Sequence, residues 1–411
     1  MDHDEILHWL TETGEAALEQ LWRRADQTRR RHVGDAVHLR GLVEFSNHCS
    51  RQCGYCGIRA GNTRLARYRM SADEILECAR LAARLGYGTV VLQSGEDPGT
   101  RRAWMEDVVR RIRAEAGLAV TLSLGERSEA DLRAWREAGA DRYLLRFETS
   151  NPALFRKIHP PRRGRRSDRI ALLRWLRGLG YEVGSGVMIG IPGQTYGDLA
   201  RDLELFRELD LDMIGVGPFL PHPATPLGQS ADAGPGQRGG GGTSPIEHRT
   251  SNTEHRTLNS GVTDHRNPPS DMEPSLEPRA SSLASSNPHS SLRTPHYSEQ
   301  VPNSELMTYK VVALARVICP DANIPSTTAL ATINRESGRE LGLQRGANVV
   351  MPNLTPPRYR ANYEIYPDKT CLQETPEQCH GCLLARIASI GRTVGEGPGP
   401  SPRFQNRSGQ D

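Results

Sequence analysis

The feature that most constrains the fold is a regular alternation between short β-branched runs and amphipathic segments. The amphipathic segments open on a Ser or Thr that can cap a helix, as in "SADEILECARLAARLG" and "TYGDLARDLELFRELD". Strands that alternate with helices are typical of parallel sheets, and eight such units close into a barrel. The sequence therefore predicts an α/β fold, a (β/α)8 TIM barrel, with strands at 37–46, 88–95, 119–125, 142–149, 181–190, 212–220, 323–330 and 347–353.

One interval, residues 229–303, interrupts this alternation. It is rich in Ser, Gly, Pro, Asn, Thr and His, and Tyr297 is its single aromatic residue. Such a composition cannot bury enough apolar surface to offset the entropy of ordering, which predicts a disordered insertion after the sixth strand, before a helix near Ser304. The predicted organisation is an N-terminal helical segment, a barrel in two parts ending in a cysteine cluster, the insertion and a flexible tail: 1–35, 36–228 with 304–392, 229–303 and 393–411.

Composition excludes several classes of protein. The chain has 411 residues, 36% of them apolar, which is enough for the core of an enzyme. The formal net charge is only +3, and the one dense basic run, "PRRGRR" at 161–166, has no interleaved aromatic residues, so we expect no nucleic-acid partner. The N-terminus lacks a signal-like apolar core and no apolar run reaches the length of a membrane span. These features predict a cytoplasmic protein without a membrane partner.

Cysteine spacing carries the strongest chemical signal. Cys78 and Cys319 lie in helical patterns and are interpreted as core residues, whereas the other six cysteines form two clusters. In "EFSNHCSRQCGYCGIR", Cys49, Cys53 and Cys56 follow the first strand with the spacing C-x3-C-x2-C. Three thiolates can hold three corners of a [4Fe-4S] cube and leave the fourth iron open for a small molecule. A zinc site, which prefers C-x2-C pairs and a fourth protein ligand, is the alternative, and chance spacing is another.

The motif, with other blocks in barrel order, resembles the radical S-adenosylmethionine (SAM) superfamily. Within it, the chain is similar to the HydE family of [FeFe]-hydrogenase maturases, relatives of biotin synthase and methylornithine synthase. The resemblance spans nearly the whole chain outside 229–303 and rests on the cysteine motif and on "RYRMSADEIL", "VLQSGEDP", "TLSLGE", "AGADRYLLRFETSNP", "IGIPGQT", "IGVGPFLPHPATPL", "IPSTTAL", "GANVVMPN" and "IYPDKTC".

The resemblance implies an oxygen-sensitive [4Fe-4S] cluster whose open iron is chelated by SAM. It further implies reductive cleavage of SAM to methionine and a 5′-deoxyadenosyl radical. "QSGED" resembles the segment that binds the SAM amino group, and "VMIGIPGQT" resembles the adenine-binding stretch. The residues expected to bind the cluster or SAM are Cys49, Cys53, Cys56, Tyr55, Gln93, Gly95, Glu148, Arg169 and Ile189.

For the substrate, the resemblance implies a cysteine-bound Fe(CO)2(CN) unit that is delivered by a partner radical SAM enzyme. Its product proceeds toward the diiron subcluster of the hydrogenase, which adds a GTPase scaffold and a reductant such as ferredoxin or flavodoxin to the expected partners. Residues near strand ends could line an anion-binding cavity: Arg146, Thr327, Thr328 and Tyr366 as catalytic residues, and Thr121, Ser123, Arg142 and Tyr363 as substrate-binding residues. The threonines suit the filling of a barrel equally well.

The second cluster, "CLQETPEQCHGC", contains Cys371, Cys379 and Cys382. It matches an accessory iron–sulfur site of some family members, and a zinc site that uses His380 is the competing interpretation. One position departs from the family pattern, because Phe147 stands where relatives commonly carry His.

Three functional hypotheses follow. The first is the maturase, and the second is a radical SAM enzyme like methylornithine synthase or biotin synthase that acts on an organic substrate. The third is a non-enzymatic iron–sulfur scaffold. A scaffold needs no SAM pocket, so "QSGED", Glu148 and "GIPGQT" argue against it.

Overall fold

The structure is a computed structural model that describes residues 1–162, 167–232 and 299–408. The strands are β1 (Ala36–Ser46), β2 (Thr89–Ser94), β3 (Ala119–Ser123), β4 (Arg142–Leu144), β5 (Glu182–Ser185), β6 (Met188–Ile189), β7 (Met213–Ile214), β8 (Gly217–Pro218), β9 (Val349–Val350) and β10 (Thr393–Val394). The helices are α1 (His3–Thr11), α2 (Glu15–Val33), α3 (Ala72–Arg84), α4 (Arg102–Ala116), α5 (Glu129–Glu137), α6 (Pro152–Ile158), α7 (Arg169–Gly178), α8 (Tyr196–Glu208), α9 (Pro226–Asp232), α10 (Glu305–Ile318), α11 (Thr328–Ile333), α12 (Gly338–Gln344), α13 (Pro357–Arg360), α14 (Pro376–Ser389) and α15 (Pro402–Ser408).

The strands form a ring of parallel neighbours. β1 pairs with β2 on one side and β9 on the other, and β2, β3, β4, β5 and β7 follow in order. Single bridges close the ring, from Met213 in β7 to Asn323 and from Pro325 to Val349 in β9. The eight parallel positions, with helices between them, confirm the predicted (β/α)8 barrel.

Three predicted strands, the fourth, seventh and eighth, are much shorter than the sequence pattern indicates, and two are divided. The seventh, expected at 323–330, is reduced to its bridging residues because α11 begins at Thr328. The fifth and sixth are each split, giving a separate parallel pair of β6 and β8. The split falls at Gly186 and Gly215, where a Cβ on Gly186 would lie 1.8 Å from the carbonyl oxygen of Gly215. The two backbones therefore touch at a point where only glycine fits.

Local capping explains where several helices begin. The Ser71 side chain accepts from the Glu74 amide at the start of α3, and the Glu74 carboxylate accepts from the Ser71 amide, which makes a capping box. Thr195 and Thr375 begin α8 and α14 in the same way. The apolar faces of these helices pack on the outside of the barrel, and no helix in the described ranges is long and apolar enough to cross a membrane.

The N-terminal segment packs against the outside of the barrel through its two helices. α2 contacts α10, and α1 contacts α8 and α10. The buried Lys310 ammonium of α10 donates to the Leu10 carbonyl at 2.9 Å, at the C-terminal end of α1. This contact places a cation where the last carbonyl groups of a helix need donors.

The C-terminal segment is structured as far as it is described, so the prediction of a flexible tail at 393–411 is wrong for 393–408. β10 pairs with the start of β1. The Pro398 carbonyl accepts from Thr89 Oγ1, and the Gly399 carbonyl accepts from Arg40 at 2.9 Å. These bonds close the N-terminal end of the barrel. No apolar pattern marks this segment, because backbone carbonyls and the ion pairs of Arg403 and Arg407 with Asp210 make its contacts.

The predicted insertion lies outside the described residues between 233 and 298. Its predicted ends need correction, because 229–232 belong to α9 and the described chain resumes before Ser304. The Gly193 amide donates to Gln300 Oε1 at 2.6 Å, and the buried Val301 donates to the Gln194 carbonyl at 2.9 Å. The barrel therefore includes residues from about Gln300 onward.

Candidate active site

A cavity of about 350 Å³ lies inside the barrel and opens toward the C-terminal ends of the strands. This is the end at which barrel enzymes place their active sites. Most of the residues that the sequence singles out line it: Cys49, Cys53, Cys56, Tyr55, Gln93, Gly95, Thr121, Ser123, Arg146, Glu148, Arg169, Thr327, Thr328, Tyr363 and Tyr366.

The cysteine loop between β1 and α3 is held by backbone contacts with the loops around it. The Ser50 amide donates to the Glu96 carbonyl at 3.0 Å, and the Gly54 amide donates to the Ile158 carbonyl at 2.7 Å. Gly95, at the end of β2, touches the same loop, because a Cβ there would lie 2.4 Å from the His48 carbonyl oxygen and 2.7 Å from Cys49 Cβ. The close packing fixes where the first cysteine stands.

The three cysteines of this loop fit a cluster better than a single ion. A zinc ion bound about 2.3 Å from each sulfur would hold its sulfur ligands about 3.8 Å apart. Among the described residues, the only trio of potential ligand atoms within 4.8 Å of one another is Glu96, Glu126 and His159, so the three sulfurs are spread more widely than one zinc ion allows. Burial raises the pKa of all three thiols, to about 12 for Cys53, so metal binding must displace their protons.

Glu148 is held in a strained position at the rim of the cavity. Its φ is +66°, in the left-handed region that non-glycine residues rarely adopt, and its side chain is buried. One carboxylate oxygen lies 3.1 Å from Arg146 Nη2, and the other accepts from the Tyr55 hydroxyl at 3.4 Å. Strain of this kind persists where the surroundings enforce it, which is common at functional sites.

A buried network of charges adjoins the cysteine loop. Arg51 contacts Glu96 at 2.5 Å and Glu126 at 2.7 Å, and Arg169 contacts Glu126 at 3.0 Å. Burial and Arg169 lower the pKa of His159 to about 2, so its neutral ring accepts from Arg169 Nη2 at 2.6 Å. Two guanidinium groups already neutralise the carboxylates, so Glu96, Glu126 and His159 form an ion-pair network and not a metal site.

The sequence reasoning did not single out Arg51, Glu96 or Glu126, although a signal was present. Arg51 lies inside the cysteine motif, and the two glutamates directly follow the second and third strands, in "QSGED" and "TLSLGE". Polar residues just after barrel strands belong to the active-site end of the fold. Arg51 Nη1 has no hydrogen-bond partner, is buried and belongs to a residue that lines the cavity.

The deeper part of the cavity contains cations that lack a full set of partners. Arg40 is buried and donates to Met213 Sδ and to the Gly399 carbonyl, and burial together with Arg142 lowers its pKa to about 9. Arg40 was also missed, although a charged residue within a strand of apolar neighbours is itself a signal. Buried donor atoms without a hydrogen-bond partner, on described residues that line the cavity, are Arg40 Nε, Arg51 Nη1, Arg146 Nε, Thr121 Oγ1 and Thr327 Oγ1.

Two of the residues predicted to bind SAM or the substrate do not line this cavity. Arg142 begins β4, at the N-terminal end of the barrel, where it pairs with Glu182 and donates to the Pro398 carbonyl. Its prediction as a substrate-binding residue is corrected accordingly, because a strand's first residue lies far from the active-site end. Ile189 in β6 is fully buried in the core and its carbonyl accepts from the Phe219 amide, while the neighbouring Met188 lines the cavity. Successive strand residues face opposite sides, so the Met188 side chain faces the cavity and the Ile189 side chain faces the core.

The second cysteine cluster lines a separate cavity of about 210 Å³. Cys371 has a φ of +62°, and the neighbouring Cys379 thiol lowers the pKa of Cys371 below its usual range. Cys382, on α14, lines the same cavity and is exposed. The His380 ring contacts the Tyr87 hydroxyl through Nδ1 at 3.1 Å and does not line this cavity. The geometry therefore does not favour a zinc site built on His380.

Comparison with known proteins agrees with this geometry. Residues 43–206 match the family model of the Radical SAM superfamily. The chain is 40% identical to the [FeFe] hydrogenase maturase subunit HydE of Thermotoga maritima over 377 residues, which cover 92% of this chain and 87% of that protein. It is 29% identical to the 3-methylornithine synthase of Methanosarcina acetivorans over 231 residues, 55% of this chain and 64% of that protein.

Solved structures show the same fold at low identity. Methylornithine synthase (PylB) superposes with a TM-score of 0.68 at 22% identity, covering 99% of this chain and 96% of that structure. HydG, a maturase of the [FeFe]-hydrogenase, superposes with a TM-score of 0.69 at 16% identity, covering 100% of this chain and 77% of that structure.

Proposed function

The chain belongs to the radical SAM superfamily and, within it, to the family of the [FeFe]-hydrogenase maturase HydE, and from this premise we propose a specific reaction and substrate. The protein is a radical SAM enzyme of hydrogenase maturation. We propose that it acts on a cysteine-bound Fe(CO)2(CN) precursor of the diiron subcluster. The observation that carries this proposal is a cavity with three cysteines at its mouth and incompletely partnered cations deeper inside.

Cys49, Cys53 and Cys56 would hold the [4Fe-4S] cluster. When bound, the cluster supplies the electron that cleaves the sulfonium C–S bond of SAM, giving methionine and the 5′-deoxyadenosyl radical. The chain's part is to fix the loop, which the contact of Gly95 with Cys49 achieves, and to keep the cysteines out of bulk water. Cys53 is buried, and Cys49 and Cys56 are half-buried.

The charged rim of the cavity suits the amino-acid part of SAM. The Arg51 guanidinium has an unpartnered Nη1, and Arg169 is oriented by Glu126 and His159, so both can meet a carboxylate. Glu148 is held by Tyr55 and Arg146 and can accept from an ammonium or a ribose hydroxyl. We propose these roles for Arg51, Arg169 and Glu148.

The deeper cavity suits a small anionic complex. Arg146 and Arg40 each keep a buried Nε without a partner, and the Thr121 and Thr327 hydroxyls are also unpartnered. An anionic substrate would supply the acceptors that these donors lack. We therefore propose Arg146, Thr327, Thr328 and Tyr366 as catalytic residues, with Thr121, Ser123 and Tyr363 binding the substrate.

The partners follow from this role. We propose that a second radical SAM enzyme delivers the substrate, that a GTPase scaffold receives the product, and that ferredoxin or flavodoxin reduces the cluster. We also propose an accessory iron–sulfur cluster on Cys371, Cys379 and Cys382, since their cavity has room for more than one ion.

The substrate proposal is tested by SAM cleavage in the reconstituted, oxygen-free protein. Adding the cysteine-bound Fe(CO)2(CN) complex should stimulate 5′-deoxyadenosine formation, and adding free amino acids should not. The Thr327→Val variant, which removes an unpartnered hydroxyl group of the cavity, should bind SAM but lose the stimulation. Arg133→Met, which removes an exposed arginine of α5, should behave as wild type. Stimulation by an amino acid alone would instead support an organic substrate.

A further inference from the structure

A ten-residue stretch, Asn362–Cys371, links the two cysteine clusters; we call it the bridging segment. At its start, the Asn362 carbonyl accepts from Asn47 Nδ2 at 2.6 Å, and Asn47 precedes the first cysteine loop. Within that loop, the Gly57 amide donates to the Ile365 carbonyl at 3.0 Å. At its other end stands Cys371 of the second cluster. The segment therefore touches both cysteine sites directly.

The bridging segment packs so closely against the first cysteine loop that neither can shift along the other. A Cβ on Gly57 would lie 2.1 Å from the Glu364 carbonyl oxygen and 2.5 Å from His222 Nε2. Side chains longer than hydrogen are excluded where the segment crosses the loop. A shift of the bridging segment must therefore be felt by the loop that carries Cys56.

The middle of the segment forms part of the reaction cavity wall. Tyr363 and Tyr366 line the cavity, and so does Lys369. The Lys369 ammonium is buried, forms an ion pair with Glu44 of β1 and lies 5.4 Å from the centre of the Tyr363 ring. Asn353 Nδ2 donates to the other oxygen of Glu44 at 2.9 Å. Lys369 thus fixes Tyr363 from one side and is itself fixed by a carboxylate.

Lys369 also lines the second cavity. The two cavities share the lining residues Leu42, Thr328, Met351 and Lys369, so the wall between them is one side chain thick. Lys369 is the charged member of this shared wall. A change of its position alters both cavities at once.

The backbone around Lys369 is strained. Asp368 and Cys371 have φ of +56° and +62°, so left-handed non-glycine residues stand on both sides of Lys369 within four positions. Arg360 Nη1 donates to the Cys371 carbonyl at 2.9 Å and holds the turn from the backbone side. On the cavity side, Thr370 Oγ1 and Arg339 Nη1 are buried without partners. Cys371 has the Cys379 thiol as its neighbour on that side, but the Thr370 hydroxyl has no hydrogen-bond partner. The cavity side of the turn is therefore held less fully than the backbone side.

We propose that Lys369 is a positioning residue for the reaction cavity, and that through it the cavity senses whether the second cysteine site is occupied. This inference rests on the proposed function for the second cluster. Ligation of Cys371 holds the strained turn, the turn keeps Lys369 on Glu44, and Lys369 keeps Tyr363 in the wall. Loss of the ligand lets the turn relax, which leaves the buried Glu44 carboxylate without its cation and loosens Tyr363.

Hydrogen–deuterium exchange tests the structural part without any turnover. In the reconstituted protein, Cys379→Ser with Cys382→Ser should raise amide exchange across the bridging segment about tenfold, and Lys369→Met should do the same with iron content unchanged. Arg110→Met, an exposed arginine of α4, is the control and should leave the exchange rates as in wild type. Unchanged exchange in the Lys369→Met variant overturns the proposal.

Kinetics tests the functional part. Lys369→Met should raise the KM for the substrate about tenfold with the Kd for SAM unchanged, and Lys369→Arg, which keeps the charge, should recover most of the loss. Equal loss of SAM and substrate binding in Lys369→Met would contradict a positioning role. If wild-type protein holds iron at the first site only, the proposed second cluster fails; the comparison of Lys369→Met with Lys369→Arg still decides whether Lys369 positions the wall.

Discussion

Replacing Gly95 by Ala should impair cluster assembly without unfolding the barrel. The new Cβ would lie 2.4 Å from the His48 carbonyl oxygen and 2.7 Å from Cys49 Cβ, whereas real Cβ atoms essentially never approach closer than 3.0 Å. The His48 carbonyl must therefore retreat by at least 3.0 − 2.4 = 0.6 Å and Cys49 Cβ by 3.0 − 2.7 = 0.3 Å. Metal sites tolerate ligand displacements of only about 0.2 Å.

The magnitude follows from these displacements. Overpacking in a buried site costs about 1 to 3 kcal/mol, which a domain of this size can absorb. The displaced cysteine should lower iron affinity by about 10- to 100-fold, as changes next to metal ligands do. The fold and the iron content are thus expected to respond differently to the same methyl group.

The assay is iron content after anaerobic reconstitution, alongside thermal unfolding. Gly54→Ala is the matched control, since a Cβ there meets a movable Leu227 side chain at 3.3 Å in the same cysteine loop. Gly95→Ala should lose most of its first-site iron and Gly54→Ala should keep it. Equal iron content in the two variants would refute the argument from close packing.

Three further predictions concern charge and chain connectivity. Glu148→Gln removes a charge-assisted hydrogen bond worth about 1.5 to 3 kcal/mol, so the Kd for SAM should rise about 10- to 100-fold by equilibrium dialysis with cluster content unchanged; an unchanged Kd would give Glu148 a structural role. Arg142→Met breaks a buried ion pair with Glu182 and should lower the free energy of unfolding by about 3 to 5 kcal/mol in urea titrations, with the Kd for SAM unchanged. A higher Kd with unchanged stability would indicate that Arg142 belongs to the binding site. Replacing 235–296 by a short Gly/Ser linker should preserve both soluble protein and SAM cleavage. Deleting 229–303 should reduce the yield of soluble protein, because it also removes Gln300 and Val301. A lower yield from the linker variant than from the deletion would show that the insertion is structural.

The fold was predictable where local patterns and barrel topology agree. The first three strands match the structure to within about two residues because each lies between clearly amphipathic helical segments. The seventh strand is shorter than predicted because "STTAL" suits a strand as well as a helix, and α11 begins there with Thr327 at its N-cap position but without a side-chain cap bond. The order of the C-terminal segment was not predictable, because its contacts use carbonyl groups and ion pairs of Arg403 and Arg407 with aspartates far away in the sequence.

The site was predictable for residues inside motifs and less so for residues that act on one another. Cysteine spacing brought the three thiols to the cavity mouth, and Glu148 stands in a quoted block at a strand end. Lys369 and Glu44 are more than 300 positions apart, and only the closed barrel brings their charges together. Arg142 shows the converse error, since the direction of a strand decides which of its ends reaches the site.

The most direct test of the central claim is SAM cleavage in two sets of cysteine variants. In reduced, reconstituted protein, Cys56→Ala should form no 5′-deoxyadenosine above background, because an open-corner cluster needs all three thiolates. Cys379→Ala with Cys382→Ala should lose iron but keep most of the basal SAM cleavage of the wild type. Equal loss of cleavage in both sets, or cleavage that survives Cys56→Ala, would contradict the assignment of the radical SAM cluster to Cys49, Cys53 and Cys56.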